Sequence, residues 1–391
     1  MKQAVILAAG EGQRLRPFTA SKPKAMISIA GKPILHHVVE SLVQNGIRNI
    51  VLIVGYKKEQ VLDYMGSGEQ WGIDLTYVTQ ARQLGTAHAL AQAKDTVEGE
   101  FLVLPGDNLI EADTIAQFVT MKPEAMLVKR VDNPTRYGVV TIEKGVVKDI
   151  IEKPKEAKSN VINTSIYAFN KGIFSFIEPE LDIPDALNNM IAQGKHLKAH
   201  ETDGTWLDIV YPWDILSLNN IVLRQIQASV GGTIETGVSL KGVVSIGKNT
   251  VIRSNSYIVG PVVMGDGCNI GPNVCILPAT SIGDNVVISP FSEIKNSVIG
   301  NDVSIGSGCI IQDSVIDKGC IINGQFTACS GQAEVKVDGE HHSVNIGAML
   351  GGGCKIGSSV VAQPGVIMGI YSQVQSLKII SGRLPDRSLV F

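Results

Sequence analysis

An apolar repeat with a period of six residues runs through the second half of the chain. Ten consecutive positions follow it without a break: Leu240, Ile246, Ile252, Ile258, Met264, Ile270, Ile276, Ile282, Ile288 and Ile294. Steps of five residues then lead to Ile299 and Ile316, and the repeat returns more weakly from Leu350 to Val374. Short strands and glycine-bearing turns at this period predict a parallel β-helix, in which each coil buries its apolar positions against its neighbours.

The cysteines belong to the same pattern. None of the six forms a C-x-x-C pair, so the sequence predicts neither a zinc site nor a disulfide framework. Four of them lie four residues after a repeat position, at Cys268, Cys309, Cys320 and Cys354. A small residue is wanted at that interior corner, and we interpret these cysteines as structural, acting as small hydrophobes.

The first half of the chain alternates apolar runs with amphipathic stretches. Strands are predicted at 3–8, 49–54, 74–79, 100–105 and 125–130, and helices near 33–45, 57–65, 86–94 and 112–121. This alternation predicts a Rossmann-like α/β domain with a mainly parallel sheet, covered on both faces and binding ligands at the carboxyl ends of its strands. A helical stretch at 213–227 leads into the repeat, so we predict domains at 1–228 and 229–391.

Charge and hydropathy argue against two classes of function, nucleic-acid binding and action within a membrane. The net charge is −3 and the pI is about 6.2, which does not suggest a nucleic-acid partner. No apolar run approaches the length of a membrane span, and the first residues lack a signal-peptide pattern. We therefore expect a cytoplasmic protein that acts without a membrane.

A loop from Leu7 to Met26 follows the first predicted strand. It reads L-A-A-G-E-G-Q-R-L-R-P-F-T-A-S-K-P-K-A-M. Gly10 and Gly12 allow a tight turn whose backbone N–H groups could cradle an anion. The third glycine of a dinucleotide fingerprint is replaced by Leu15, and no Gly-Lys-Ser/Thr triplet marks a Walker A loop. The loop also concentrates four cations, which suits a polyphosphate ligand: Arg14, Arg16, Lys22 and Lys24.

Other polar residues follow predicted strands. Gln80 comes after 74–79, ahead of the pair Gly85-Thr86, where Thr86 could simply begin a helix. Asp107 follows the strand 100–105. A carboxylate at that position either starts a turn or binds Mg²⁺, which prefers oxygen ligands.

The string G-x-G-x-R-L-R-P-x-T with a later P-K resembles the signature loop of the sugar-1-phosphate nucleotidylyltransferases. The resemblance implies that Arg14 and Lys24 are catalytic contacts to phosphate. It also implies that a nucleoside triphosphate is bound by Leu7, Ala9, Gly10, Gly12, Gln80, Gly85 and Thr86. In this family the Gly-Thr turn identifies a pyrimidine base, so UTP and dTTP both remain open.

Four later motifs resemble the same family in the same order. Gly138 in Y-G-V-V, Glu152 and Lys153 in I-E-K-P, and Asn163 in N-T resemble positions around the sugar phosphate. Asp208 in W-L-D resembles the second carboxylate that, with Asp107, binds Mg²⁺. Since 101 residues separate the two carboxylates, only the resemblance brings them together.

The two halves together resemble the archaeal-type bifunctional N-acetylglucosamine-1-phosphate uridyltransferases and glucose-1-phosphate thymidylyltransferases. In these enzymes a left-handed β-helix transfers acetyl from acetyl-CoA and assembles as a homotrimer or a multiple of it. The histidine expected in an R-H-D string is missing from the corresponding stretch 323–330, which leaves His341 and His342 as candidate bases. A β-helix that is only structural and a non-catalytic regulatory subunit remain as alternatives.

Overall fold

The computed structural model describes residues 1–177 and 180–391. It divides the chain into two compact units. The first comprises Met1–Glu11, Lys22–Met26 and Ile34–Asp208, and the second comprises Gly12–Ser21, Ile27–Pro33 and Ile209–Phe391. Within the described ranges, no helix is long and apolar enough to cross a membrane.

The first unit is built on a sheet of nine strands. In spatial order they are Asp74–Thr79, Asn49–Val54, Gln3–Ala8, Glu100–Pro105, Val161–Asn170, Ala125–Arg130, Lys198–Glu201, Val146–Glu152 and Gly138–Glu143. The first four are mutually parallel, as predicted. Val161–Asn170 runs antiparallel to both of its neighbours, so the sheet is mixed beyond that point.

Helices cover both faces of this sheet. They are α1 (Ile34–Gln44), α2 (Glu59–Met65), α3 (Thr86–Ala91), α4 (Ala112–Ala116), α5 (Phe174–Ile177) and α6 (Ile183–Ala192), with 3₁₀ turns at Lys24–Met26, Glu69–Trp71, Phe118–Thr120, Pro134–Arg136 and Lys171–Ile173. Alternate strand residues enter different cores: Val5 packs in one hydrophobic cluster, whereas Ala4 and Ile6 pack in another. Burial on both faces explains why these strands read as continuous apolar runs.

The second unit contains the predicted β-helix, formed by three parallel sheets. The first sheet consists of Ser229–Val230, Val244–Ile246, Val262–Met264, Thr280–Ile282, Val298–Ile299, Val315–Ile316, Ala348–Leu350, Val366–Met368 and Arg383–Leu384. The second consists of Thr233–Ile234, Val251–Ile252, Asn269–Ile270, Val287–Ile288, Ser304–Ile305, Ile321–Ile322, Lys355–Ile356, Gln373–Val374 and Leu389–Val390. The third consists of Ser239–Lys241, Tyr257–Val259, Cys275–Ile276, Glu293–Lys295, Ile310–Gln312, Thr327–Ala328, Val361–Ala362 and Ile379–Ile380.

Each turn of the β-helix uses three six-residue repeats. Ile246 therefore pairs with Met264, eighteen residues later, and nearly all of the repeat positions share one buried cluster. A five-residue step shortens the coil by one residue, so Ile282 pairs with Ile299. The predicted period is confirmed, and its interruptions mark the shorter coils.

A hairpin interrupts the β-helix. Its strands Gly331–Val337 and Glu340–Ile346 pair antiparallel around a turn at Asp338 and Gly339, both with positive φ. The coil then resumes, and Ile316 pairs directly with Leu350.

The corner cysteines do more than fill space. The thiol of Cys268 donates to the carbonyl of Gly283 at 3.1 Å, and that of Cys354 donates to Gly369 at 3.1 Å. Thr250 makes the equivalent bond to Gly265 through its hydroxyl at 2.7 Å. The interpretation of these cysteines purely as small hydrophobes therefore missed a donor role. Burial raises the pKa of Cys268, which keeps this thiol protonated and unreactive.

The remaining elements of the second unit are α7 (Asp214–Leu223), a short strand pair at Ser28–Ile29 and Lys32–Pro33, and 3₁₀ turns at Gln13–Leu15 and Phe18–Ala20. Asn219 on α7 is fully buried. Its amide accepts from the Ala30 N–H at 2.9 Å and donates to the Ala279 carbonyl at 3.0 Å. One side chain thus joins the helix, the strand pair and the β-helix.

Candidate active site

A short strand pair brings Asp107 and Asp208 together. Trp206–Asp208 runs antiparallel to Asn108–Ile110 and places Asp208 opposite Asn108, the residue after Asp107. The turn before Asp107 is tightly packed, because a Cβ on Gly106 would lie 2.9 Å from the Ala8 Cβ. The structure therefore supplies the convergence that no sequence spacing could show.

Lys24 lies between these two carboxylates. Its Nζ is 2.9 Å from Asp107 Oδ2 and 2.9 Å from Asp208 Oδ1. Burial acts to lower the pKa of Lys24, but the attraction of Asp107 and Asp208 outweighs it, so the pKa lies above its ordinary value of 10.5. The ammonium is therefore charged at neutral pH.

The same carboxylates form a donor set that fits a hard divalent cation. Asp107 and Asp208 each direct one carboxylate oxygen to the same point, where the positive charge of Lys24 lies. Carboxylate oxygens are ligands that a hard cation prefers. In the part of the chain that the structure describes, no group of three or more His, Cys, Asp or Glu residues could hold a metal. Mg²⁺ commonly binds one or two carboxylates, and substrate phosphate and water complete its coordination shell.

A second cluster surrounds the Gly85-Thr86 turn at the start of α3. The buried Gln80 donates from Nε2 to the Gly85 carbonyl at 3.0 Å and lies 2.9 Å from His88 Nδ1. On the other side, Asp182 Oδ1 accepts from the Thr86 N–H at 3.0 Å and from its hydroxyl at 3.2 Å. Gly85 has φ +143°, and a Cβ there would lie 2.3 Å from the Leu181 carbonyl oxygen. Gln80, Gly85 and Thr86 thus form one rigid turn.

Sequence reasoning missed Asp182. Its position just before α6 is that of an ordinary helix N-cap, yet its side chain makes no capping bond there. It binds Thr86 instead, while the carbonyl of Leu181 accepts from the Ala87 and His88 N–H groups. The segment before α6 therefore satisfies the first N–H groups of α3. No local spacing signals a contact across 96 residues.

The predicted sugar-phosphate residues lie on neighbouring strands. Gly138 is paired with Glu152, and a Cβ on Gly138 would be 2.9 Å from Glu152 Oε2. Lys153 Nζ is 3.3 Å from Glu152 Oε1, with both side chains about half exposed. The buried Asn163 donates to the Tyr167 hydroxyl at 2.7 Å.

The strands that carry the predicted sugar-phosphate residues are tied to Asp107 and Asp208 through Trp206. The indole N–H of Trp206 donates to the Thr164 carbonyl at 3.0 Å, and the rings of Trp206 and Tyr137 meet edge to face at 5.6 Å. Because Trp206 begins the strand that ends at Asp208, this packing positions the second carboxylate relative to the Asn163 turn.

The signature loop is shared between the two units. Leu7, Ala9 and Gly10 belong to the first unit, whereas Gly12 and Arg14 belong to the second. Gly12 adopts the left-handed conformation at φ +75°. Arg14 Nε lies 3.0 Å from Asp338 Oδ2 at the tip of the inserted hairpin, and both side chains are exposed.

The sequence matches the family model "Nucleotidyl transferase" over residues 3–225. The chain belongs to the nucleotidyl transferase family. A second model, "GMPPB C-terminal domain", matches residues 258–345 within the β-helix and its hairpin.

Two relatives of this nucleotidyl transferase match nearly the whole chain, and a solved structure matches part of it. The bifunctional protein GlmU of Methanococcus maripaludis is 36% identical, covering 99% of this chain and 97% of its own. The bifunctional sugar-1-phosphate nucleotidylyltransferase/acetyltransferase of Sulfurisphaera tokodaii is 34% identical, with 95% of each chain covered. A Bacillus anthracis protein assigned as a glucose-1-phosphate thymidylyltransferase, solved with sucrose, is 31% identical. Its structure matches at a TM-score of 0.53 and covers 58% of this chain and 97% of its own.

The two candidate histidines of the β-helix half of this nucleotidyl transferase lie on the inserted hairpin. His342 packs against Tyr211 at 4.4 Å and Trp213 at 5.4 Å between ring centroids, and its Nε2 is 3.7 Å from Glu340 Oε2. His341 is exposed. A base at either position stays a prediction.

We expect Asp182→Ala to weaken triphosphate binding in this nucleotidyl transferase. The variant leaves the Thr86 N–H and hydroxyl without their acceptor, a change typically worth about 1 kcal/mol. The KM for the triphosphate should rise about fivefold, while kcat changes little. Asp182→Asn, which keeps an oxygen acceptor, should restore most of the affinity, and the exposed Asp185→Ala is the matched control. A fall in kcat at constant KM would contradict this positioning role.

Proposed function

We propose that this protein transfers a nucleoside monophosphate from UTP or dTTP to a sugar 1-phosphate, N-acetylglucosamine 1-phosphate or glucose 1-phosphate. The products are the nucleoside diphosphate sugar and pyrophosphate. The observation that carries the proposal is the cluster of Lys24, Asp107 and Asp208, which brings an ammonium suited to phosphate and two carboxylates suited to a divalent ion to one point. Membership of the nucleotidyl transferase family and the names of the full-length relatives support the same reaction.

The chemistry needs positioning more than covalent participation. An oxygen of the sugar phosphate attacks the α-phosphorus in line, and the bond to the pyrophosphate leaving group breaks, so no intermediate on the protein is required. Lys24 and Arg14 would neutralise phosphate charge during this step. Asp107 and Asp208 would hold Mg²⁺, which supplies further stabilisation of the developing charge.

Substrate recognition follows from the two flanking clusters. The rigid Gly85-Thr86 turn, with Gln80, would read the base through its backbone, which accommodates uracil and thymine alike. On the other side, Glu152 would accept from sugar hydroxyls, Lys153 would bind the sugar phosphate, and Gly138 and Asn163 would shape the pocket.

Pyrophosphate release with Mg²⁺ tests this proposal. UTP, dTTP, ATP and GTP are each combined with the 1-phosphates of glucose, N-acetylglucosamine and galactose. We expect turnover with UTP or dTTP and none with the purine nucleotides. Folded protein that is inactive in every combination would reject the proposal and favour a regulatory subunit.

A second activity, acetyl transfer from acetyl-CoA to a hexosamine 1-phosphate, is supported by the relatives named bifunctional. His341 or His342 would act as the base toward the amine, and a homotrimer would assemble through the β-helix. Coenzyme A release with glucosamine 1-phosphate and galactosamine 1-phosphate tests this activity. If protein that is active in nucleotidyl transfer releases no coenzyme A, the role of the β-helix is structural. A cytoplasmic location stays a prediction.

A further inference from the structure

The ammonium of Lys24 forms ion pairs with both carboxylates of the candidate metal site. Lys24 Nζ is 2.9 Å from Asp107 Oδ2 and from Asp208 Oδ1, so the chain supplies its own cation there. The carboxylates remain partly open to solvent, with 30% of the Asp107 side chain and 21% of the Asp208 side chain exposed. A metal ion can therefore reach them from solution and would have to compete with Lys24.

A divalent ion and the ammonium cannot share these oxygens at low cost. Mg²⁺ binds carboxylate oxygen at about 2.0–2.1 Å, which would put the ion beside the ammonium. Only 16% of the Lys24 side chain is exposed, so water screens the repulsion between the two like charges weakly.

The side chain of Lys24 can move while its backbone stays fixed. The main chain is fixed by the 3₁₀ turn Lys24–Met26, in which the Met26 N–H donates to the Pro23 carbonyl at 2.9 Å and Ala25 is buried. The side chain is a flexible stem of four methylenes that ends in a compact charge. A phosphate dianion would give this charge a new partner and release both carboxylates.

We propose that Lys24 closes the metal site when no substrate is bound, and that metal binding and phosphate binding are coupled through displacement of its ammonium. This inference rests on the proposed function, because it takes Asp107 and Asp208 as the metal ligands. Metal alone then binds weakly, and a sugar phosphate strengthens metal binding. By linkage, metal strengthens sugar-phosphate binding by the same factor.

Mn²⁺ binding to the substrate-free, full-length protein tests the inference without turnover. Free Mn²⁺ is measured by electron paramagnetic resonance with wild type, Lys24→Met and Lys94→Met, the last being an exposed lysine on the same unit. We expect Lys24→Met to bind Mn²⁺ at least tenfold more tightly than wild type, and Lys94→Met to match wild type. Equal or weaker binding by a folded Lys24→Met would overturn the inference.

A second titration can be decided on the wild-type protein alone. The Mn²⁺ dissociation constant of wild type should fall at least several-fold in the presence of N-acetylglucosamine 1-phosphate or glucose 1-phosphate, whereas that of Lys24→Met should not. A wild-type constant that neither sugar phosphate changes would overturn the coupling even if Lys24→Met does not fold. Since these readouts are independent of pyrophosphate release, failure of the coupling and failure of the proposed activity are distinguishable.

Discussion

Asp107→Asn is expected to lower turnover by about a hundredfold or more. The substitution keeps the shape of the side chain but removes the charge that faces Lys24 at 2.9 Å and that would hold the divalent ion. Because Gly106 and the strand Glu100–Pro105 fix the backbone, the loss should appear in kcat and not in the fold. The measurement is steady-state pyrophosphate release at saturating Mg²⁺, with circular dichroism to verify folding.

Asp113→Asn provides the matched control for this experiment. This substitution removes the same charge from the same unit, at the exposed Asp113 in the first turn of α4. It should keep wild-type turnover. If Asp107→Asn stays within about tenfold of wild type, Asp107 is not a metal ligand and the assignment of the site is wrong.

Ile294→Ala is expected to destabilise the β-helix by about 2–5 kcal/mol. Ile294 is fully buried, and its strand pairs with Cys275–Ile276 on one side and Ile310–Gln312 on the other. The cavity therefore disturbs three stacked coils, and in a solenoid each coil is stabilised mainly by its neighbours. Chemical unfolding followed by circular dichroism measures the change in free energy.

Val287→Ala is the comparison for Ile294→Ala. Val287 faces outward on the neighbouring sheet and is 41% exposed, so its truncation should change stability by no more than about 0.5 kcal/mol. Similar losses from both variants would mean that the repeat positions do not form the core of the coil.

The sequence predicted the regular parts of the fold closely. The five strands expected between residues 3 and 130 have the observed bounds. Four of them are buried on both faces and show apolar runs that end sharply, whereas the edge strand Asp74–Thr79 is partly exposed. The helices are somewhat shorter than predicted; α3, for example, ends at Ala91. The six-residue period predicted the β-helix because the repeat position of every six-residue segment must point into the interior of the coil.

Contacts between distant segments could not be predicted in this way. The pairing of Trp206–Asp208 with Asn108–Ile110 depends on the path of the chain around the whole sheet, and only resemblance to a family anticipated it. Asp182 and its bond to Thr86 gave no signal at all, since an aspartate before a helix has an ordinary local explanation. The position of Lys24 between Asp107 and Asp208 depends on that strand pairing and likewise required coordinates.

The inserted hairpin leaves the register of the β-helix unchanged. Coils on either side pair as neighbours, with Ile316 against Leu350 and Ile322 against Ile356, as though residues 331–346 were absent. The hairpin is therefore an insertion into a continuous scaffold. Its base packs on the coil, where a Cβ on Gly365 would lie 2.5 Å from the Ala333 Cβ, so that part is constrained by the coil. The stacking of the coils, by contrast, places no demand on the exposed tip of the hairpin, whose length and charge can change while the stacked core keeps its register.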